Sequence, residues 1–146
     1  MAKLLILFTL LILYIVIVES EDVDYYWRDY EGEIPEDAIS AGRDANDKDV
    51  YIGQILCSKH KDNFSWLRTS AKTLQRDIIG KHAVAGGYNG KVEGIYSIGR
   101  VMYDKSTQVG PISSFYPGNA DFYFVYKNKH FLFIKTYEVL IYSKEH

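Results

Sequence analysis

Three closely spaced runs of aromatic and branched residues near the end of the chain constrain its fold most. They cover Asp121–Tyr126, His130–Lys135 and Tyr137–Tyr142. Each run has the length of a strand and is short for a helix, and aromatic and branched side chains favour strands. Lys127-Asn128-Lys129 separates the first two runs. It predicts a tight turn between two antiparallel strands.

Two further runs extend this pattern towards the N-terminus. Asp49–Leu56 and Glu93–Tyr103 alternate and are rich in branched residues, and two glycines interrupt the second run. A glycine inside a strand marks either a bulge or the close approach of another group. The helical signal is weak, since Ser70–Ile79 predicts two turns at most. We therefore expect an all-β fold of antiparallel sheets with a bulged meander.

The first 20 residues differ in character from the rest of the chain. Lys3 precedes Leu4–Val18, an uncharged run of 15 residues, whereas a membrane-spanning helix needs about 20. Ser20 suits the position before a cleavage site, and the chain then becomes acidic. The pattern predicts a signal peptide at 1–20, a short acidic segment at 21–26 and a secreted, extracellular product with no membrane span after cleavage. An uncleaved signal-anchor is the alternative.

The charge and motif content exclude several classes of function. The chain has 17 Lys and Arg against 19 Asp and Glu, a net charge of −2, which is atypical of proteins that bind nucleic acid. The four histidines lack metal-ligand spacing, and no Gly-x-Ser-x-Gly motif is present. The glycine-rich stretch Gly86–Gly90 lacks the Lys-(Ser/Thr) of a phosphate loop. We therefore expect a non-enzymatic protein with no cofactor, no metal and no nucleic-acid partner.

Two residues carry predictions about covalent chemistry outside the cell. Cys57 is the single cysteine of the chain, so no internal disulfide forms. Its apolar neighbours favour a buried thiol, and the alternative is an intermolecular disulfide that joins a homodimer. Asn63 begins the sequon Asn-Phe-Ser, which makes it a candidate glycosylation site in an exported protein.

The sequence also contains an internal repeat. Ile34–Asp44 aligns with Ile79–Asn89, and Tyr51–Gln54 then aligns with Ser97–Arg100. The shared pattern is Ala-aliphatic-x-small-Gly-x-(Asp/Asn), followed after a gap by Ile-Gly-(Gln/Arg). Two related units of this size predict a pseudo-twofold domain, because neither unit alone buries an adequate core.

These motifs resemble the DM-nine repeat family, which occurs in invertebrate proteins and at the front of the natterin fish toxins. The residues that carry the resemblance are, in order, Trp27, Ile34–Ile39, Ala41–Asp44, Val50–Gly53, Tyr96–Val101 and Tyr137–Leu140. The resemblance implies a single all-β domain over 27–146. It consists of two repeats, 27–78 and 79–142, related by pseudo-twofold symmetry, with the first repeat shortened.

The resemblance also implies a function. Some members of this family are mannose-binding lectins of innate immunity, and their site is similar to an Asp from Ala-Gly-x-Asp paired with a Lys from Pro-Gly-Lys. Asp44 matches the Asp and Asn89 replaces it in the second repeat, while Pro111 stands where a Lys is expected. A carboxylate accepts hydrogen bonds from two sugar hydroxyls. The implied function is a secreted, lectin-like module that binds a glycan through Asp44 and Asn89, with Tyr88 or Trp66 adding an aromatic surface.

Two alternatives remain open from the sequence. Asp44 lies in Asp-Ala-Asn-Asp, a composition typical of turns, so its carboxylate is also a candidate turn cap. The divergence at the lysine positions favours a second function, namely a venom or salivary effector that acts through a host or target protein after loss of the sugar site.

Overall fold

The computed structural model describes residues 24–52, 54–91, 94–126 and 130–143, with the backbone alone at 130–132. The predicted signal peptide, the start of the acidic segment and the predicted turn at 127–129 lie outside the described residues. Within the described residues, no helix is both long enough and apolar enough to span a membrane.

The fold is all-β, as the sequence predicts, and every strand pairing in it is antiparallel. The strands are β1 (Tyr26–Arg28), β2 (Gly42–Arg43), β3 (Asp49–Val50), β4 (Ile55–Cys57), β5 (Phe64–Ser70), β6 (His82–Ala83), β7 (Ala85–Asn89), β8 (Gly94–Tyr103), β9 (Ser106–Ile112), β10 (Phe122–Tyr126), β11 (His130–Ile134) and β12 (Thr136–Tyr142). A 3-10 turn (Lys61–Asn63) precedes β5, and one short helix, α1 (Leu74–Asp77), follows it.

One eight-stranded sheet forms the centre of the molecule. Its strand order is β11-β10-β9-β8-β12-β5, with β6 joined to β12 and β7 joined to β8. The remaining strands form two small sheets, β1-β4 and β2-β3. The aromatic runs at the end of the chain therefore become β10, β11 and β12, close to their predicted limits.

One local prediction is wrong in its extent. The expected single strand over Asp49–Leu56 is divided into β3 and β4, because β3 pairs with β2 while β4 pairs with β1 in a different sheet. The weak helical signal over Ser70–Ile79 corresponds to the four residues of α1, within the two turns expected at most. The glycines predicted to mark a bulge or a close approach show the second behaviour at Gly99, where an added Cβ would lie 2.6 Å from the Phe122 ring.

The central sheet separates two hydrophobic cores. Along β12, Val139 and Ile141 point into one core, and Leu140 and Tyr142 point into the other. The first core lies under α1 and contains the buried residues Ala71, Leu74, Ile112, Ala120, Phe122, Phe124, Tyr137, Val139 and Ile141. The second, which we call the junction core, joins the sheet to the first half of the chain. It contains Ile39, Leu56, Val84, Ile98, Leu140 and Tyr142.

The junction core contains a three-segment pairing that we call the first ladder. Leu56 of β4 lies opposite Trp27 of β1, and its carbonyl accepts a hydrogen bond from the Ile39 amide at 2.7 Å. On the same side as Ile39, Ala38 forms a bridge with Cys57. The β4 strand is thus held between β1 and the Ala38-Ile39 segment.

A second ladder repeats this pairing. Leu140 of β12 lies opposite Trp66 of β5, and its carbonyl accepts a hydrogen bond from the Val84 amide at 3.0 Å. On the same side as Val84, Ala83 pairs with Ile141. The sequence alignment equates Ile39 with Val84, and the amides of both residues donate to the carbonyl of a buried leucine, while the repeat itself stays a prediction. Because β5 pairs with β12 along its whole length, Trp66 belongs structurally with the second ladder, although the predicted boundary at 78/79 assigns it to the first repeat.

Candidate functional site

The junction core opens to solvent in a groove of about 370 Å³ beside Trp66, which we call the Trp66 groove. Its apolar wall includes Phe64 and Trp66 from β5. Its polar side chains come from four separate segments, and they are Ser40, Arg43, Asp49, Lys61 and Arg100. Sites for small ligands usually combine an aromatic wall with a few hydrogen-bond donors and acceptors.

Arg100 fixes the inner end of this groove. Its guanidinium carbon lies 4.4 Å from the centre of the Trp66 ring, within the range of a cation–π contact. Its Nε donates to the Glu138 carboxylate at 2.7 Å, and its Nη1 donates to the Ala41 carbonyl at 2.8 Å. The β8–β12 register sets Arg100 opposite Glu138. The side chain is therefore held by the sheet on one side and by the segment that precedes β2 on the other.

The β2–β3 hairpin supplies the outer polar groups. Arg43 lies opposite Asp49 in this hairpin, and their charged atoms are 3.9 Å apart. Arg43 also pairs with Asp47 at 2.7 Å, and the Ser40 hydroxyl lies 3.3 Å from the Asp49 carboxylate. These side chains are largely exposed, and exposed ion pairs of this kind hold their partners weakly. A ligand can therefore engage Arg43 and Asp49 at small cost.

Lys61 closes the groove from the 3-10 turn that precedes β5. Its ammonium donates to the Glu36 carbonyl. An ammonium has three donor hydrogens, so donors remain for a ligand after this contact. The groove therefore combines three cationic side chains with one lining carboxylate.

Asp44, the first predicted sugar contact, caps the β2–β3 hairpin. Its Oδ1 accepts hydrogen bonds from the amides of Asn46 at 2.8 Å and Lys48 at 2.9 Å. These backbone bonds, the one from Lys48 above all, hold the pKa of Asp44 below its usual value. The geometry agrees with the turn-cap alternative. It does not place Asp44 among the residues that line the Trp66 groove.

Asn89, the second predicted sugar contact, serves the β7–β8 hairpin in a similar way. Its amide nitrogen donates to the Tyr96 hydroxyl at 2.9 Å, and its Oδ1 accepts from the Lys91 amide at 3.0 Å. Tyr88 lies opposite Ile95 in the same hairpin, and both side chains are exposed. No hydrogen bond joins Asn89 to Asp44 in the described part of the chain. The structure therefore assigns the two residues to separate hairpins.

A second cleft, of about 450 Å³, lies between the segment after β3 and strands β8 and β9. Tyr51 and Ile52 line one side, and Ser97, Gln108 and Pro111 line the other. Proline has no amide hydrogen to donate. At this position, where the resemblance leads us to expect a lysine, the chain supplies no cation.

Cys57 and Asn63 are the two residues with predicted covalent chemistry. Both lie close in sequence to Lys61, which lines the Trp66 groove. Cys57 is fully buried in the first ladder, and its burial raises the pKa of the thiol. This placement fits a small buried hydrophobe, and an intermolecular disulfide would require the ladder to open. Asn63 is half-buried at the end of the 3-10 turn, where its carbonyl accepts from the Ser143 amide at 2.9 Å. Its glycosylation stays a prediction.

Sequence reasoning identified Trp66 as a candidate contact but missed Arg100, Asp49 and Lys61. The sequence did contain a signal for Arg100. The repeat aligns Arg100 with Gln54, so a charged residue occupies the position that a neutral residue has in the first repeat. No comparable signal links Asp49 or Lys61 to Trp66, because the three lie in different segments of the chain.

Comparison with known proteins adds no assignment. No family model matches the sequence, and a search of the curated proteins finds no match to it. The resemblance to the DM-nine repeat family therefore stays a prediction that rests on the motifs themselves.

Proposed function

We propose that this chain is a secreted, non-enzymatic recognition module that binds a neutral, mannose-type glycan in the Trp66 groove. The observation that carries the proposal is the combination, in one groove, of the Trp66 wall with the Asp49 carboxylate and the Arg43 and Lys61 cations. A pyranose has apolar C–H surfaces that pack on aromatic rings and hydroxyls that both donate and accept hydrogen bonds. The groove offers a partner to each kind of group.

The charge balance favours a neutral ligand over an anionic one. Arg100 is paired with Glu138, and Arg43 is paired with Asp47 and approaches Asp49. Paired cations attract an anion less strongly than free ones, whereas they still donate to neutral hydroxyls. An uncharged sugar therefore matches the groove better than a sulfated or phosphorylated one.

The proposal also accounts for the missing family lysine. In the resemblance a carboxylate and a lysine act together on the sugar. Here Asp49 and Lys61 supply the same two chemical groups within one groove, while Asp44 remains in its hairpin turn. The role in defence belongs to the resemblance and is proposed together with it.

The proposal is tested by expressing the full sequence, collecting the secreted protein and measuring its binding to glycans. We expect retention on a mannose resin and on mannose-type glycans of an array. Asp49→Asn should weaken binding about tenfold or more, because a hydrogen bond to a charged group contributes about 1.5–3 kcal/mol. Asp29→Asn, an exposed carboxylate that does not line the groove, is the matched control. The proposal fails if no glycan is retained, or if the two variants bind as well as each other.

One observation favours the second candidate, an effector that acts through a host or target protein. The polar atoms of Asn89 and one carboxylate oxygen of Asp44 are engaged within their own hairpins. A target protein that stays bound in the presence of free mannose and after enzymatic removal of its glycans would support the effector. Release by mannose would support the lectin.

A further inference from the structure

The two outer strands of the central sheet differ sharply in composition. β5 forms one edge and contains Arg68 together with polar Ser65, Thr69 and Ser70. β11 forms the other edge with the sequence His-Phe-Leu-Phe-Ile, which has no acidic residue, lysine, arginine, proline or glycine. Edge strands usually carry such residues because these discourage pairing with another chain. Lysines stand at positions 129 and 135 of the sequence, on either side of β11, but none stands within the strand itself.

Backbone groups of β11 are open to pairing. Within the described residues β11 pairs only with β10, in an unbroken register from Phe122 opposite Ile134 to Tyr126 opposite His130. A strand with one neighbour presents a row of amide and carbonyl groups on its other side. This row is a template for a further extended strand.

An exposed apolar band reaches this edge. Phe133 of β11 is 64% exposed, and its ring lies 5.8 Å from that of Tyr123, the residue opposite it in β10. Val125, two residues beyond Tyr123 on the same side of β10, is 51% exposed. We call Tyr123, Val125 and Phe133 the edge band. Phe133 lies on the edge strand itself, so a strand added there would run directly beside it, whereas Tyr123 and Val125 lie one strand further in.

We propose that β11 pairs antiparallel with β11 of a second copy of this chain, so that two central sheets form one continuous sheet. Between Lys129 and Lys135 the strand has no acidic residue, lysine or arginine, so a second copy of β11 offers it a partner of matching composition. The register centred on Leu132 sets Phe131 opposite Phe133 and His130 opposite Ile134, and it stops short of Lys135. A twofold axis makes this pairing self-complementary and closes the assembly at two copies.

The twofold arrangement also joins the two edge bands. Residues directly opposite each other in an antiparallel pair point to the same side of the sheet. The bands of the two copies therefore lie on one side and meet across the new strand pair. The β5 edge of a second copy is a poorer partner, since Arg68 and its polar neighbours would face the apolar strand. The dimer does not use Cys57, which is fully buried in the first ladder.

This inference is tested by measuring the mass of the secreted protein in solution. The full sequence is expressed, and the protein is studied in reducing buffer by light scattering and sedimentation. We expect twice the monomer mass, and we expect Phe133→Lys to lower it to the monomer mass. Ile79→Lys alters a residue that is 73% exposed and lies outside the edge band, so it should leave the dimer intact. Circular dichroism monitors the fold of each variant.

Phe133→Thr provides a milder second variant if Phe133→Lys proves unfolded, and it too should lower the fraction of dimer. The inference is overturned if the unmodified protein sediments as a monomer at every concentration, or if folded edge-band variants keep the dimer mass. Dimer loss without loss of glycan binding supports the inference and leaves the Trp66 groove unaffected.

Discussion

The first and second ladders place a tryptophan, a leucine and a branched residue in the same relative positions, but in different surroundings. β1 and β4 have three residues each and form a small sheet of their own. β5 and β12 have seven residues each and continue through β8 into the large sheet. The same local pairing therefore forms a small two-stranded sheet in the first ladder, and in the second ladder it forms one wall of the Trp66 groove.

The residues that flank the two ladders also differ in their contacts. Gln54, near the first ladder, is exposed and donates to Asp29 across 3.4 Å. Its aligned partner Arg100 has Glu138 and Trp66 within reach, because the wide sheet sets both beside it. The similar backbone pattern thus gives this side chain charged and aromatic partners only where further strands supply them.

The largest expected effect compares the central leucines of the two ladders. Leu56 and Leu140 are both fully buried in the junction core, so each Leu→Ala change should cost about 2–5 kcal/mol of unfolding free energy. Leu140→Ala should lie at the upper end, because strands on both sides limit relaxation of the cavity, whereas the short first ladder can collapse. Urea unfolding followed by tryptophan fluorescence measures both, and a larger cost for Leu56→Ala would contradict the comparison.

A smaller effect is expected at two aligned glycines. Gly42 has φ of +143° and Gly87 has φ of +157°, so a side chain at either is strained, at about 1–3 kcal/mol. An added Cβ at Gly42 would also lie 2.5 Å from the Thr107 hydroxyl, whereas the same addition at Gly87 meets no heavy atom within 4 Å. Gly42→Ala should therefore lower the melting temperature more than Gly87→Ala. Equal losses would show that the Thr107 contact is readily relieved.

The smallest effect is expected from exchanging the residues at the aligned positions 54 and 100. Arg100→Gln removes a charged hydrogen bond and a cation–π contact from a half-buried site and should cost about 1–2 kcal/mol. Gln54→Arg alters an exposed side chain and should stay within about 0.5 kcal/mol. Chemical denaturation quantifies both variants. If the costs are equal, then the pairing of Arg100 with Glu138 contributes little, and Arg100 does not fix the inner end of the groove.

Much of the strand content was predictable because it depends on neighbouring residues. Alternation and aromatic composition located β8, β10, β11 and β12 to within a residue or two. The break between β3 and β4 was not predictable, since both halves of Asp49–Leu56 have strand composition and the division arises only because they pair with different strands. The small-Gly motif located Asp44, but its hydrogen bonds to Asn46 and Lys48 depend on how the hairpin closes.

The sequence by itself determined that the chain forms antiparallel strands, because strand composition is a local pattern. The repeat that aligns Ile39 with Val84 stays a prediction from the same kind of pattern. The tertiary structure alone decided that Trp66 stands beside Arg100, and that Asp49 and Lys61 share its groove. These residues come from segments far apart in the chain, and contacts between distant segments are determined by sheet register and core packing. The same packing buried Cys57, and it left β11 at an edge of the sheet, where Phe133 is exposed.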